Sequence, residues 1–487
     1  MAIWKPQQGC TLPNRGSTIA TMPRLKWDDL LCKERLRKLL GGPDSVKAEN
    51  ESRTEFEWDY GRTIYSAPFR RLKQKAQVFP LETSDYVRTR LLHSQEVSSV
   101  AEDLAAQLVR TIPELDRSEP AIRDAIPLVA ATCGLIHDLG NPPFGHAGEL
   151  AIQSWFARRL KENDKFLEGL DDQQKQDFLK FEGNAHTLRI ISRMCLLVDH
   201  YGLNYTCGTF SAGRKYLPPS HRVDGRHSFS KPGYFWSEAK VIEICDSKTG
   251  TQNARHPLAF LVEAADDMVY SLVDLEDGIK RKVLNWTDLR NHLEKLCSGS
   301  RVFDEAMKLA DRQISGHGFS GVAEAEAMAQ AFRIAAISEL AIASKEIFKK
   351  RYDSIMEGSY DGELVVDAES EARPLILACK EYARKNLYTS QEILKLEVRG
   401  RHVIRDLMDL FWEAVEKMSP SSIPISTKTY EGKIYHLISD NYRRVFETRL
   451  KEDLEHPTYY KLQLVTDYIA GMTDPFACRL HKDLTNG

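Results

Sequence analysis

Apolar residues recur along this chain at the three-and-four spacing of amphipathic helices and almost nowhere at the alternation of strands. From Arg90 onward, Leu91, Val97, Val100, Leu104 and Leu108 fall at helical spacing, which predicts a helix of about five turns carrying His93 and Glu96. Residues 121–137, with Ile126, Val129, Ala130, Cys133 and Ile136, hold too few charges for a surface helix and predict a central one. A helix over 149–160 follows, then a charged stretch, 161–180, that reads as solvated surface. Phe181-Glu182-Gly183-Asn184-Ala185-His186 opens the next helix. His256-Pro257 starts another, with Leu258, Leu261, Val262, Ala265, Val269 and Leu272 on its apolar positions. Helical patterns continue over 284–360, 394–418, 435–454 and 464–471, interrupted by a polar break at 363–371.

Two stretches lack this periodicity. Residues 1–24 mix Gly, Pro, Thr and Arg and read as an extended lead-in. Residues 201–238 are rich in Gly, Pro, Ser and aromatics, with Arg214, Lys215, Arg222 and Lys231 interspersed, and the strand signal is confined to 205–245. So long an aperiodic segment inside a domain is usually functional, and it predicts a hairpin or lid bordering a site.

Composition narrows the class. With 487 residues, 42% hydrophobic and 28% charged, the chain is long enough for a large core and reads as an ordinary globular protein. A formal net charge of -3 argues against a wholesale polyanion-binding surface, although 67 Lys and Arg leave room for local basic patches. No apolar run reaches the ~18 residues of a membrane span, and the first 25 residues lack a signal-peptide core, so no membrane partner and a cytoplasmic location are expected. Nine cysteines stand singly without a CxxC pair, which suits neither a disulfide framework nor a thiolate zinc site. Any metal must be held by nitrogen and oxygen.

The chemistry concentrates in Leu135 to Glu149, LIHDLGNPPFGHAGE, where His137-Asp138 and His146…Glu149 flank a Gly-Pro turn. With His93 and Asp266 from neighbouring helices, His137 and Asp138 make a His/His/Asp/Asp set that suits Mg2+, Mn2+, Fe2+, Co2+ or Zn2+ and leaves positions for water or substrate. The competing reading makes His137 a capped helix end and His93 a satisfied core residue. His146 and Glu149, at i and i+3, are either a histidine oriented by a carboxylate for proton transfer, a dipole-stabilised helix start, or a ligand to a second metal. Asp266, Tyr270 and Asp274 lie at i, i+4 and i+8 on one face of a mainly apolar helix, which is costly to bury without partners. Tyr270 is either a core residue bonded to Asp274 or a wall against which a sugar stacks. Arg90, Lys215 and Lys231 are candidates for neutralising a polyphosphate, each with solvated surface as the alternative.

Taken in order, FRRLKQKAQVFPL at 69–81, VRTRLLHSQEV at 87–97, HDLGNPPFGHAGE at 137–149, FEGNAH at 181–186, KPGYFWSE at 231–238, EAADDMVYSLVDLED at 263–277 and YIAGMTD at 468–474 resemble the HD-domain metal phosphohydrolases, and more closely the deoxyguanosinetriphosphate triphosphohydrolase family. The matches are dense from about 55 to 280, and none falls between about 285 and 430. The resemblance implies an all-α fold: a lead-in and first helix (1–54), an HD-domain core (55–284) with a small β-hairpin insertion, and a helical C-terminal region (285–487). It implies His93, His137, Asp138 and Asp266 as ligands of a divalent ion, Mg2+ or Mn2+ foremost, and His146 with Glu149 as the catalytic pair. Arg90 falls where the family contacts the α-phosphate, and Gln77, Tyr270 and Asp274 where it holds the sugar 3'-hydroxyl, Tyr270 crowding the 2' carbon. Lys215, Lys231 and Arg443 or Arg444 are further phosphate candidates, and the role of His186 is open. The implied reaction splits a deoxynucleoside triphosphate, dGTP foremost, into deoxynucleoside and triphosphate. A nucleotide phosphodiesterase or 5'-nucleotidase, or a nucleotide- or single-stranded-DNA-binding regulator without turnover, are the alternatives. A homo-oligomer is implied, and single-stranded DNA is a conceivable partner.

Overall fold

The computed structural model of the chain describes residues 23–43, 51–81, 87–195, 201–252, 254–315, 318, 320–418 and 425–485. Most of the predicted lead-in, including Cys10, lies outside them. The described residues are mainly helical, and their cysteines are all free thiols. No helix among them is long and apolar enough to cross a membrane.

The helices that position the site are α1 (Glu55–Tyr65), α2 (Arg90–Thr111), α3 (Pro120–Ile136), α4 (Gly145–Glu162), α5 (Gly183–Arg189), α6 (Pro257–Lys280), α7 (Gly321–Met356), α8 (Gln391–Glu416) and α9 (Pro457–Ala470). Local chemistry sets several of their ends. Thr54 and Glu57 form a reciprocal capping box at the start of α1. At the start of α6, His256 Nδ1 accepts the Leu258 amide at 3.2 Å while its Nε2–H donates to the Leu30 carbonyl at 3.2 Å. Burial keeps His256 neutral, its pKa lowered to about 4, and only a neutral ring has a lone pair to offer.

Helix α6 is buried nearly all round and runs through the interior, most of its carboxylates included. Its residues that escape burial are Asp266, Tyr270 and Lys280, and the first two open on the cleft described below. Helices α2 and α3 pack closely against each other, and the approach needs Gly134, where a Cβ would lie 2.5 Å from Ser98 Cα.

Two hydrophobic clusters fill the interior. One joins α2, most of α3, α6 and α7 with residues between 286 and 393; the other joins α4, α8 and α9 with residues between 166 and 245. The chain crosses from one to the other between Cys133 and Leu135, just before His137-Asp138.

The 205–245 region corrects the expected hairpin. Among the described residues there is no strand, only isolated bridges, one of them parallel between Pro219 and Tyr234. The segment instead holds the helix Cys207–Ala212, short 3-10 turns at Ser220–Arg222, His227–Phe229 and Trp236–Glu238, and the helix Ala239–Thr249. Pro218, Pro219 and Pro232 lack the N–H that a ladder requires, so pairing stops at single bonds such as Gly233 N–H to the Pro218 carbonyl at 2.8 Å. The aromatic residues that gave the strand signal, Tyr205, Phe210 and Phe235 among them, are buried core. Residues 161–180 are not merely solvated surface either. Phe166, Leu167, Leu170 and Phe178 are buried, and Asp171 with Gln174 caps the helix Asp172–Leu179.

The turn between α3 and α4 is held at close quarters. Gly140 N–H donates to Thr187 Oγ1 at 2.9 Å, and the Gly140 carbonyl accepts from His186 Nδ1 at 3.0 Å. Phe144 sits in the left-handed region (φ 64°), a cost of about 1–2 kcal/mol for a non-glycine residue, and its N–H is fixed by Asp474 Oδ1 at 3.1 Å. A Cβ on Gly140 would fall 2.0 Å from the Gly183 carbonyl oxygen and 2.3 Å from the Thr187 nitrogen. Both neighbours are backbone and cannot rotate away. Gly140→Ala is therefore expected to destabilise the fold by about 3 kcal/mol or more, read as a lowered denaturation midpoint; a wild-type midpoint would mean the turn gives way more easily than this packing implies.

Candidate active site

A cleft of about 530 Å³ opens where the chain crosses between the two clusters. His93, His137, Asp138, Asp266, His146, Glu149, Gln77, Arg90, Tyr270 and Asp274 all line it, so one cavity gathers every residue of the expected set. Lys215 and Lys231 line it too, whereas Arg443 and Arg444 do not. Those two arginines lie on the helix Asp440–Glu452, where both pair with Asp440.

His93, His137 and Asp138 bring one ligand atom each close enough together to hold a metal ion. Asp266 joins them, its Oδ1 3.1 Å from His93 Nε2 and 3.5 Å from His137 Nε2. Asp138 Oδ2 lies 3.6 Å from His137 Nε2 and 3.9 Å from His93 Nε2. The donor chemistry fits a cation. His137 Nδ1–H donates to the Gly134 carbonyl at 2.8 Å, which turns the buried Nε2 toward the carboxylates as the nitrogen that a neutral ring would offer a cation.

The charges in this group depend on one another. Burial opposes a charge on His137, but Asp138 and Asp266 outweigh it and hold the ring up at about 9. Burial also opposes ionisation of Asp138, yet Arg90, His137 and His93 bring it down to about 2. Asp266 is driven well below the usual carboxylate range, the two imidazoles overcoming its burial. Arg90 Nη1 donates to Asp138 Oδ2 at 2.6 Å, which ties the guanidinium to the His/Asp group.

On the other bank His146 Nδ1 bonds Glu149 Oε2 at 2.8 Å, and Glu149 Oε1 accepts the Gly183 amide at 2.8 Å. The FEGNAH segment thus fixes the carboxylate that fixes the imidazole. The His146 side chain is 83% exposed and stands free in the open cleft, whereas that of Glu149 is 7% exposed. The hydrogen bond that His146 donates to Glu149 raises its pKa above the ordinary histidine value.

At the far end Tyr270 is not the phenol bonded to Asp274. Asp274 Oδ2 accepts from the Tyr388 hydroxyl at 2.6 Å, so the phenol bonded to Asp274 comes from the stretch without recognisable motifs. Burial raises Asp274 to about 7, and its Oδ1, like Gln77 Oε1, is a buried acceptor without a partner. The Tyr270 ring faces the cleft with the Lys380 ammonium 5.4 Å from its centroid, and Lys380 donates to Asp267 at 3.0 Å.

The cations along the cleft are pre-paired. Lys231 lies 3.1 Å from Glu182 and Lys215 3.5 Å from Glu263. Both lysines keep pKa values raised above the ordinary range: burial works against their charge, and these carboxylates prevail.

Several residues around the site went unread in the sequence, and His186 was read without a role. Lys75 is buried and donates to the Asn141 and Ala470 carbonyls. Asp474 accepts the Phe144 and Ala76 amides through its two oxygens. His186 lies against Asp467, which also takes Arg189 in a bidentate pair. The motif segments 69–81, 181–186 and 468–474 contain most of these residues, so the signal was present although their roles were not. Tyr388 and Lys380 carried no signal.

A family model described as a phosphohydrolase-associated domain matches residues 428–483, the stretch that supplies Asp467, Ala470 and Asp474. The chain is 36% identical over 473 residues to a deoxyguanosinetriphosphate triphosphohydrolase-like protein of Listeria monocytogenes, covering 94% of this chain and 99% of that one. It is 32% identical over 489 residues to the deoxyguanosinetriphosphate triphosphohydrolase of Salmonella typhimurium, covering 89% and 94%. With identity at this level over nearly the whole of both relatives, and with the family's motifs gathered around one cleft, the chain belongs to the deoxyguanosinetriphosphate triphosphohydrolase family.

Proposed function

We propose that the chain hydrolyses deoxynucleoside triphosphates, dGTP foremost, at the α-phosphorus, releasing deoxynucleoside and intact triphosphate. The observation that carries this reading is the succession back along one face of α6: Asp274, with its unpartnered oxygen, and Tyr270, then Asp266 of the His/Asp group, then Glu263 with Lys215 beside it, all on one cleft with Arg90 and Lys231. A deoxyribose, an α-phosphate and a polyphosphate tail meet matching chemistry in that sequence.

His93, His137, Asp138 and Asp266 would hold a divalent ion, Mg2+ or Mn2+ foremost, with nitrogen and oxygen donors that also suit Co2+, Fe2+ or Zn2+. When bound, such an ion supplies Lewis-acid polarisation of a phosphoryl oxygen. The chain's own groups do the rest. Arg90 offers its guanidinium to the α-phosphate, and the two lysines neutralise the tail. His146, held through Nδ1 by Glu149, presents Nε2 to the cleft. Its raised pKa keeps the ring protonated to higher pH than an ordinary histidine, which suits donation of a proton to the departing 5' oxygen as water attacks phosphorus. Asp274 Oδ1 and Gln77 take the 3'-hydroxyl, and Tyr270 closes the space at C2'. For the base, Val78, Tyr388 and Ile393 offer apolar walls, and Glu397 a carboxylate able to accept from the N1–H and N2–H donors of guanine.

Incubation of the protein with each dNTP and Mg2+, Mn2+ or Co2+, with the phosphorus products resolved, tests the reading directly. Inorganic triphosphate with deoxynucleoside is the expected pair. Orthophosphate or a nucleoside monophosphate would instead place the chain with the nucleotidases or phosphodiesterases, and no product under any ion would leave a binding protein.

Tyr270→Ala is expected to lower the ratio of kcat/KM for dGTP over GTP by about 10- to 100-fold. An unchanged ratio would remove Tyr270 from sugar discrimination.

The His146 assignment predicts a pH signature. A raised pKa keeps the acid form to higher pH, so activity declines on the alkaline side as the ring loses its proton. Glu149→Gln removes the carboxylate that raises it, and the alkaline limb of kcat should move to lower pH while kcat falls by about 100-fold. An unmoved limb would assign that proton to another group.

A further inference from the structure

Lys215 is not an isolated cation. Its ammonium lies 3.5 Å from Oε1 of Glu263, a carboxylate 3% exposed on the turn of α6 before Asp266. The same Oε1 is 2.9 Å from His227 Nε2, and Oε2 accepts from Arg255 Nη1 at 2.6 Å. The other ring nitrogen of His227 lies 3.2 Å from Glu363 Oε1. A neutral imidazole has one N–H and can serve one carboxylate; bridging two requires the imidazolium. Burial works against that charge, but Glu263 and Glu363 prevail and raise the His227 pKa.

Residues 361–363 also hold the backbone at His227 and the side chain of Arg255. Asp361 accepts the His227 and Ser228 amides at 2.9 and 3.0 Å, and the Gly362 carbonyl accepts from Arg255 Nη2 at 2.6 Å. His227 therefore ties the cleft-bordering segment 213–238 to α6 on one side and to the 361–363 loop on the other.

We propose that His227, clamped between Glu263 and Glu363, is a positioning residue for Lys215: with Arg255 it meets the charge of Glu263, so that the Lys215 ammonium is released to the polyphosphate of the substrate. Lys215 has the longest of the three contacts to Glu263, and Glu263 retains two cations when it leaves. Without a cation at 227, Glu263 Oε1 has Lys215 alone and draws it back from the cleft. The groups facing His227 are Glu263 from α6, Arg255 just before it, Asp361 and Glu363 from the loop, and Lys215 from its own segment. The inference rests on the reading that a polyphosphate occupies the Lys215 end of the cleft.

Inhibition by inorganic triphosphate and by 2'-deoxyguanosine, measured on the metal-loaded enzyme, separates the two claims. Wild-type enzyme should be inhibited by triphosphate, and Lys215→Ala should weaken that inhibition; if it does not, the polyphosphate placement itself fails. Given that result, His227→Gln should weaken triphosphate by about tenfold, shift 2'-deoxyguanosine by less than about twofold, and raise KM for dGTP more than it lowers kcat. His227→Lys, which returns a cation, should recover most of the loss. Wild-type affinity for triphosphate should fall as pH rises through the His227 titration, and the His227→Gln variant should lack that component. Equal loss for triphosphate and deoxyguanosine, or no loss for either, would overturn the proposal.

Discussion

Two aspartates held against two imidazoles in a water-poor cleft floor set the terms for everything around them. Like charges about 4 Å apart repel by about 4 kcal/mol at an effective dielectric near 20, so Asp138 and Asp266 stay ionised together only beside positive charge. Arg90 and the two imidazoles supply it here, and the lowered pKa values of both aspartates record the balance. A divalent cation would resolve the same problem more completely, with the imidazoles as neutral ligands. The unpartnered Nε2 of His137 fits that state.

Such a cluster must be held by its surroundings, because its own electrostatics in the absence of a cation are finely balanced. The holding structure comes from far along the sequence. Lys75 joins the Asn141 and Ala470 carbonyls, Asp474 joins the Phe144 and Ala76 amides, and Asp467 closes on His186, whose other nitrogen supports Gly140. Residues 467–474 thus grip the turn that separates His137-Asp138 from His146, and fix the spacing of its two halves. This gives residues 467–474 a physical role at the site through the turn they hold.

What could be read from the sequence follows from how local each signal is. Helices announced themselves through apolar spacing, α3 was legible as an interior helix from its lack of charge, and α6 from carboxylates set on a mainly apolar helix. The cleft residues were legible as a set because their motifs occur in order, and geometry then brought them into one cavity. The hairpin was misread because aromatic residues raise strand propensity whether they sit in a sheet or, as Tyr205 and Phe235 do, in a helical core. Tyr388 and Lys380 were invisible for a different reason. Each acts through one tertiary contact, with Asp274 and Asp267, and a single contact more than 110 residues away leaves no periodicity behind. The break at 363–371 looked like a plain loop for the same reason, although Glu363 at its edge meets His227 across the molecule.

The pre-paired cations have a consequence for how this cleft meets an anionic ligand. Arg90, Lys215 and Lys231 each face a carboxylate already, so a polyphosphate exchanges ion pairs and does not create them. Affinity is then a difference between two sets of contacts, and it depends on whether each abandoned carboxylate has another partner. Asp138 has the imidazoles and, when present, the metal ion. Glu263 has Arg255 and His227. Glu182 has the Asn184 amide and side chain, hydrogen bonds without a full charge. Lys231 is accordingly the cation whose departure leaves its carboxylate least compensated, and Lys215 the one whose release the surrounding charges make easiest.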